Sequence, residues 1–409
     1  MSHSIHDFTA KLRQPEVLHT LTNYVQWRKD VRAAREAGSA EPEAPSASPI
    51  SINLDLTVAC NYRCDHCIDW DILNTKHRLA EDDLRASLAS MRERGLRSVI
   101  LIGGGEPTLF PGFVGFVQFL KQELGLQVAV VTNGSRGDRL LEIAPFLEEG
   151  DWVRLSLDSG SDELFQAMHK PQSASTNLDE ICSWIPRIKA ANPAPRLGFS
   201  YVIVWSGASR DDNALHENIH EIYAGAERAK NSGFDYISFK PVLERQEDGS
   251  EVMDPSKTAA GTAAVVKRIR AEVTRAEELA TDGFEVYVST NLRLLEDGNW
   301  ADFTNQPKTC HMQALRQVLT PLGLYNCPAH RGVDKALINT KDAYATEERT
   351  CQTGKGLARI LDDFDASKEC AQVTCLYNKV NWWVEDAIAA DGPALDVIEA
   401  GVENADYFL

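Results

Sequence analysis

The chain has 409 residues, with 42 Lys+Arg against 60 Asp+Glu and a formal net charge of −18. At 43% hydrophobic residues it can build a sizeable core, and roughly 150 residues per domain predicts two or three domains. The acidity argues against a nucleic-acid partner, which needs a basic footprint. No apolar run approaches the ~18 residues of a membrane span, and the N-terminus lacks an apolar leader core, so no membrane partner and a cytoplasmic location are expected.

Residues 1–36 read as helix, because Val17, Leu18, Leu21, Tyr24, Val25 and Arg28 follow the 3.6 period. Residues 37–49 are rich in Ala, Ser and Pro and read as linker, so 1–49 form an N-terminal extension. Strand-length runs follow at Ser51–Thr57, Ser98–Ile102, Val128–Thr132, Val153–Leu157, Leu197–Val204 and Tyr236–Phe239. Amphipathic segments near 79–94, 113–124, 137–148, 176–191 and 213–231 lie between them. This alternation predicts a parallel α/β sheet over 50–300, either doubly wound or an incomplete barrel. A further helix is expected from Asp254-Pro255, then a strand at Glu285–Ser289. Short strands, turns and cysteines make 301–385 a second domain, and 386–409 a tail. The tail ends in apolar groups. It is expected to dock on a neighbouring chain, fold over the barrel mouth, or be disordered.

Nine cysteines, an odd number in a reducing compartment, favour metal binding or catalysis over disulfides. Cys60, Cys64 and Cys67 fall within eight residues directly after the first strand. Three thiolates leave one metal site open, whereas structural zinc and closed clusters want four. A four-iron four-sulfur (4Fe-4S) cluster with one non-protein ligand fits that count, and zinc with a distant fourth ligand is the alternative.

At these cysteines the sequence resembles the radical S-adenosylmethionine (radical SAM) superfamily, over about residues 50–245 with weaker continuation to 380. The resemblance implies a partial (β/α)6 TIM barrel. It also implies a catalytic 4Fe-4S cluster that binds S-adenosylmethionine, and an external one-electron reductant of flavodoxin or ferredoxin type. Reductive cleavage would give a 5′-deoxyadenosyl radical that abstracts a substrate hydrogen. His66 sits where the family places an aromatic residue beside the adenine. Gly103-Gly104-Gly105-Glu106-Pro107, at the end of strand two, is similar to the GGEP motif that binds the methionine amino group. Its glycines permit close backbone approach, and the Glu106 carboxylate could receive an ammonium.

Asn133, Ser156 and Asp158 lie at the ends of strands three and four, where barrel enzymes build their sites. In relatives these strand ends lie near the cofactor ribose and carboxylate. Asn133 and Asp158 read equally well as turn or N-cap residues. Tyr201 and Phe239-Lys240 are expected to point into the barrel mouth, though a one-residue slip reverses each. Lys240 is either a partner for an anionic substrate group or a solvated lysine.

Leu315–Thr320, Pro321-Leu322-Gly323 and Leu324–Asn326 read as a hairpin that brings Cys310 and Cys327 together. Cys370 and Cys375 follow, ahead of a helix-like Asn381–Ala390. Four thiolates suit a fully ligated auxiliary 4Fe-4S cluster, with zinc as the alternative. Thr320–Cys327 resembles the hairpin of the SPASM and twitch auxiliary domains. It has one residue fewer between Gly323 and Cys327, and no dense cysteine block follows, so one twitch-like cluster is expected. His311 and His330 read as hydrogen-bond neighbours, and Cys182 as a core thiol on a helix face. Cys351, in a polar stretch read as loop, is a candidate catalytic hydrogen donor, an alternative cluster ligand or a bystander.

The substrate is expected to be a small metabolite such as a sugar or cyclitol, undergoing dehydrogenation, epimerisation or rearrangement. The alternative is maturation of a ribosomal peptide, but the helical N-terminus is too short for a winged-helix peptide-recognition domain. A non-catalytic redox carrier would leave Gly103–Pro107 unexplained.

Overall fold

The computed structural model describes residues 7–173, 175–210, 213–254 and 261–409. The N-terminal segment splits in two, α1 (Phe8–Leu12) and α2 (Pro15–Ala37), because Pro15 at the first helical position cannot continue α1.

One ten-stranded sheet organises the rest. Its strands are β1 (Ser51–Asp55), β2 (Ser98–Ile102), β3 (Gln127–Thr132), β4 (Trp152–Ser156), β5 (Arg196–Ile203), β6 (Tyr236–Pro241), β7 (Glu285–Val288), β8 (Arg316–Thr320), β9 (Gly323–Tyr325) and β10 (Leu337–Asn339). The order is β7-β6-β5-β4-β3-β2-β1-β8-β9-β10. Every pairing from β7 to β8 is parallel, and only the β8–β9–β10 meander is antiparallel. The sheet is open, and a seventh parallel strand, β7, extends the expected six along the β6 edge.

Crossover helices cover one face: α3 (Glu81–Glu93), α4 (Phe113–Gln118), α5 (Gly137–Ile143), α6 (Asp162–His169), α7 (Leu178–Ala191) and α8 (Ile222–Asn231). Two helices, α6 and α7, stand between β4 and β5 where one was predicted. Ser161 caps α6 through the amide of Leu164, and Asn177 caps α7 through that of Glu180. α8 begins at Ile222 rather than 213, since Asn213-Ala214 pairs with Ser209-Arg210. The helix expected from Asp254-Pro255 appears as α9 (Thr262–Glu277), and Pro255 lies outside the described residues. Val265, Ile269, Val273 and Ala276 form its buried stripe. α10 (Thr290–Asp297), α11 (Glu347–Asp363) and α12 (Asn378–Ala389) complete the longer helices.

The tail corrects its expectation. It is ordered, and it folds under the end of the sheet opposite the cysteine loop, where the strands begin. Ser98 Oγ donates to the Tyr407 carbonyl at 2.8 Å, and the Tyr407 amide donates to Gln127 Oε1 at 2.9 Å. Lys11 Nζ donates to the Phe408 carbonyl at 2.7 Å. Phe408 itself joins Ile100, Ala129 and Trp152 on the helix-free inner face, with ring centroids 5.4 Å from Trp152. It therefore plugs the sheet from below.

Candidate functional site

Cys60, Cys64 and Cys67 sit part-buried on the loop that leaves the C-terminal end of β1. The loop is pinned by Asn74, whose Oδ1 accepts the Cys60 amide at 3.0 Å. His169, the last residue of α6, places Nδ1 3.2 Å from Cys64 Sγ. Burial pushes all three thiols up, and the neighbouring thiols add to the rise at Cys64. Such thiols stay protonated unless a cation replaces the proton, which is the chemistry of a metal-ligand set.

The glycine segment after β2 is built against this loop. A Cβ on Gly105 would stand 2.2 Å from the Ala59 carbonyl oxygen, so only glycine allows the approach. The Glu106 amide donates to that same carbonyl at 2.8 Å. Gly104 adopts φ +76° beside the Asp55 side chain.

Glu106, the expected ammonium receiver, has a carboxylate that is 2% exposed and already hydrogen-bonded within the fold. Oε1 accepts from the Thr108 amide (3.1 Å), Thr108 Oγ1 (2.6 Å) and Thr132 Oγ1 (2.6 Å), and Oε2 from the Asn133 amide (2.7 Å). It ties the ends of β2 and β3 together, with three donors on Oε1 and one on Oε2. Asn133 takes its turn reading, with Oδ1 on the Ser135 amide and Nδ2 on Asn61 Oδ1 of the cysteine loop. Asp158 is also a clamp, at φ 52°. Its Oδ1 accepts the Val202 amide at 2.6 Å, and Oδ2 lies 3.0 Å from His66 Nε2. Burial alone would pull His66 down, but Asp158 and Asp65 outweigh it and lift the imidazole to about 9. Ser156 points to the inner face, and its hydroxyl has no partner among the described residues.

Tyr201 is a correction. It faces the helices, not the barrel mouth: it packs on Gly225 of α8, and its hydroxyl donates to the Asn218 carbonyl at 2.7 Å. Phe239 packs edge-to-face beside it on the same side, 5.5 Å between centroids. The odd-numbered residues of β5 are the helix-facing set, so Ser200 and Val202 hold the inner face. Lys240 follows Phe239 and lies on the inner face. Burial, with Arg154 as a like charge, pulls its amine down to about 7.

A cavity of about 430 Å³ opens beside the cysteine loop, lined by His66, Cys67, Trp70, Arg210, Leu243 and Arg245. Arg210 Nη1 donates to the Cys64 carbonyl at 2.7 Å. A second cavity, of about 190 Å³, collects Cys310, Cys327, Cys370 and Cys375, with Leu243 shared between the two walls. Its walls are mostly apolar, including Met312, Phe364 and Val373. Burial pushes all four thiols up, and neighbouring thiols add to the rise at Cys327, Cys370 and Cys375, with Cys327 reaching about 12. Four part-buried thiols converging on one cavity fit a fully ligated iron–sulfur or zinc centre. His330 Nε2 lies 3.5 Å from Cys370 Sγ, and His311 bridges Tyr24 Oη (2.8 Å) and Glu385 Oε2 (2.7 Å), so both are hydrogen-bond neighbours. Cys182 is buried on α7.

Cys351 is also a correction. It stands exposed on the first turns of α11, not in a loop, and lines neither cavity. Thr346 caps that helix, and the polar composition of its outer face made it read as loop.

Sequence reasoning missed Asp55, Asp69 and Arg331. Arg331 Nη1 lies 2.7 Å from Asp69 Oδ2 and 3.4 Å from Asp55 Oδ2, beneath Gly103. No spacing could reveal this group, since its members are some 260 residues apart.

Residues 54–239 match the Radical SAM superfamily. An S-adenosylmethionine-dependent nucleotide dehydratase of a Thermoplasmatales archaeon is 36% identical over 111 residues, 27% of this chain and 38% of that protein. One from Danio rerio is 31% identical over 158 residues, 36% of this chain and 42% of that protein. GTP 3',8-cyclase of Chlorobaculum tepidum is 33% identical over 135 residues, 32% of this chain and 40% of that protein. The chain thus spans about two fifths of the length of these curated relatives. Streptococcus suis SuiB bound to S-adenosylmethionine superposes with TM-score 0.54 over 92% of this chain and 80% of that one, at 16% identity. Native anSMEcpe with bound AdoMet gives 0.53 over 81% and 88%, at 14%. These two likenesses are of fold: a large, mostly parallel α/β sheet. No helix among the described residues is long and apolar enough to cross a membrane.

Proposed function

We propose that the chain is a radical SAM enzyme with one catalytic and one auxiliary cluster, acting on a small molecule. The observation that carries the reading is the three-thiol loop at the end of β1, with the Gly103–Pro107 backbone packed against it beside an open cavity. Cys60, Cys64 and Cys67 would hold a 4Fe-4S cluster, which would supply the one-electron chemistry that cleaves S-adenosylmethionine for hydrogen abstraction from a substrate. An external one-electron protein donor would supply the electron.

The chain's own residues orient and shield. Gly104 and Gly105 present backbone to the methionine end, while Glu106 holds that backbone rigid from behind. Ser156 offers a free hydroxyl on the inner face, and Asp158 locks His66 in place at the cavity edge. Cys310, Cys327, Cys370 and Cys375 would hold the auxiliary cluster behind Leu243. Fixing both reactants in one cavity and excluding stray hydrogen donors is the protein's share of the catalysis.

Two observations favour a small molecule over a peptide. The sequence relatives include enzymes named for nucleotide substrates. The N-terminal helices are also committed to the body of the protein: Tyr24 bonds His311, and Arg32 pairs with Glu385 of α12 at 2.5 Å.

Anaerobic reconstitution, reduction with dithionite and assay for 5′-deoxyadenosine test the reading. Formation of 5′-deoxyadenosine is expected, and its absence from protein carrying a full iron complement would overturn the enzyme assignment. Deuterium transfer from a candidate metabolite into 5′-deoxyadenosine would then identify the substrate.

A further inference from the structure

The inner face of the sheet holds two cations with no ion-pair partner among the described residues. The register aligns Ser156 with Ser200 and Ser200 with Ser238, so three hydroxyls form one row across β4, β5 and β6. Arg154 lies two residues before that row on β4, and Lys240 two residues after it on β6. By the alternation of a strand, all five side chains share the inner face.

None of the five has a hydrogen-bond or ion-pair partner among the described residues. Ser200 is 0% exposed and its hydroxyl is orphaned, as are Ser238 Oγ and Arg154 Nε. Arg154 rests its guanidinium over the Trp152 ring, 5.0 Å from the centroid. The carboxylate whose charge acts on both cations is Asp158, whose oxygens are engaged by His66 and the Val202 amide. In a chain of net charge −18, two inward cations without a carboxylate of their own stand out. Buried charges and hydroxyls without partners cost free energy unless a ligand supplies the acceptors.

Resting on the enzyme reading above, we propose that this row is a substrate subsite for a phosphoryl group, held between Arg154 and Lys240 and hydrogen-bonded by Ser200 and Ser238. A phosphoryl group brings close to two negative charges and three acceptor oxygens, matching two cations and a row of hydroxyls. A carboxylate would leave one cation unbalanced. Phe408 and Trp152 close the face below, so the anionic end enters from the cysteine-loop end of the strands. The rest of the molecule then lies between the serine row and that loop, where a C–H bond can be reached. The substrate class is a phosphorylated small molecule bound phosphoryl end first.

Titration of the full-length reconstituted protein with inorganic phosphate, and separately with acetate, tests this by calorimetry. Phosphate is expected to bind at one site and acetate much more weakly. Arg154→Gln and Lys240→Met should each weaken phosphate by about tenfold or more, as for lost charge-assisted bonds. Ser238→Ala, a gentler change that guards against misfolding of the cation variants, should weaken it several-fold, and Arg154→Lys should recover part of the loss. Arg139→Gln, a half-buried arginine on α5, is the control. No phosphate binding, unchanged affinity in Lys240→Met and Ser238→Ala, or acetate binding as tightly as phosphate would each overturn the proposal. Failure of the wild type to form 5′-deoxyadenosine is a separate result that bears on the enzyme reading, since phosphate binding is measured without turnover.

Discussion

Replacing Glu106 with Gln separates two roles for the residue most strongly expected to touch the cofactor. The carboxylate accepts four hydrogen bonds, three at Oε1 and one at Oε2. A Gln amide can keep the three with its oxygen, but its NH2 then faces the Asn133 N–H. One charge-assisted bond is lost, and a buried donor is left without an acceptor, at a cost of about 3 kcal/mol. At ~2.1 cal/mol/K per residue, the unfolding entropy of a 409-residue chain is roughly 0.9 kcal/mol/K, so Tm should fall by about 3 °C. The assay is thermal unfolding of the reconstituted protein without S-adenosylmethionine, alongside equilibrium binding of the cofactor. The clamp requires the drop in Tm in the cofactor-free state, with weaker cofactor binding as a consequence of a loosened β2–β3 junction. An unchanged cofactor-free Tm together with lost affinity would refute the clamp and restore Glu106 as the ammonium receiver.

Four further outcomes are expected. Cys370→Ser with Cys375→Ser should lower bound iron from about eight to about four per chain, and iron analysis returning eight would remove these thiols from the auxiliary site. Phe408→Ala should cost about 3 kcal/mol by emptying the inner-face cluster, and an unchanged melting curve would mean the tail does not plug the sheet. Tyr201→Phe loses one buried hydrogen bond, about 1 kcal/mol, and should leave turnover intact; a loss of turnover at wild-type stability would place the hydroxyl in the reaction. Lys240 titrates near 7 in the fold instead of its ordinary 10.5. The folded state therefore binds its proton less tightly than the unfolded chain, and stability should rise with pH from about 7 towards 10.5. Lys240→Met should flatten that rise, and urea midpoints across this range showing the same slope in both proteins would contradict the burial argument.

Much of the chemistry was legible because it is local. A metal loop must be short to wrap one centre, so CxxxCxxC after a strand carries its meaning in the spacing. Gly103–Pro107 is legible for the same reason: Gly105 must lack a Cβ to lie on Ala59. The two cysteine pairs, one flanking a hairpin and one closely spaced, also belong to local geometry, and the fold brings all four thiols to one cavity.

Which way a strand residue faces was not legible. β5 is buried on both faces, so its apolar run shows no clear alternation, and Tyr201 and Ser200 look equally suited to the interior. Only pairing with β4 and β6, and packing on α8, turned the tyrosine outward and lined up the serines. The partners of Glu106, the Arg331–Asp69 pair and the seat of Phe408 likewise exist only once distant segments meet. Short covalent spacing determined the candidate metal-ligand pattern in advance. The polar face of the sheet, and so the candidate substrate subsite, was decided by tertiary packing, because a side chain's direction on a doubly covered strand is set by its neighbours.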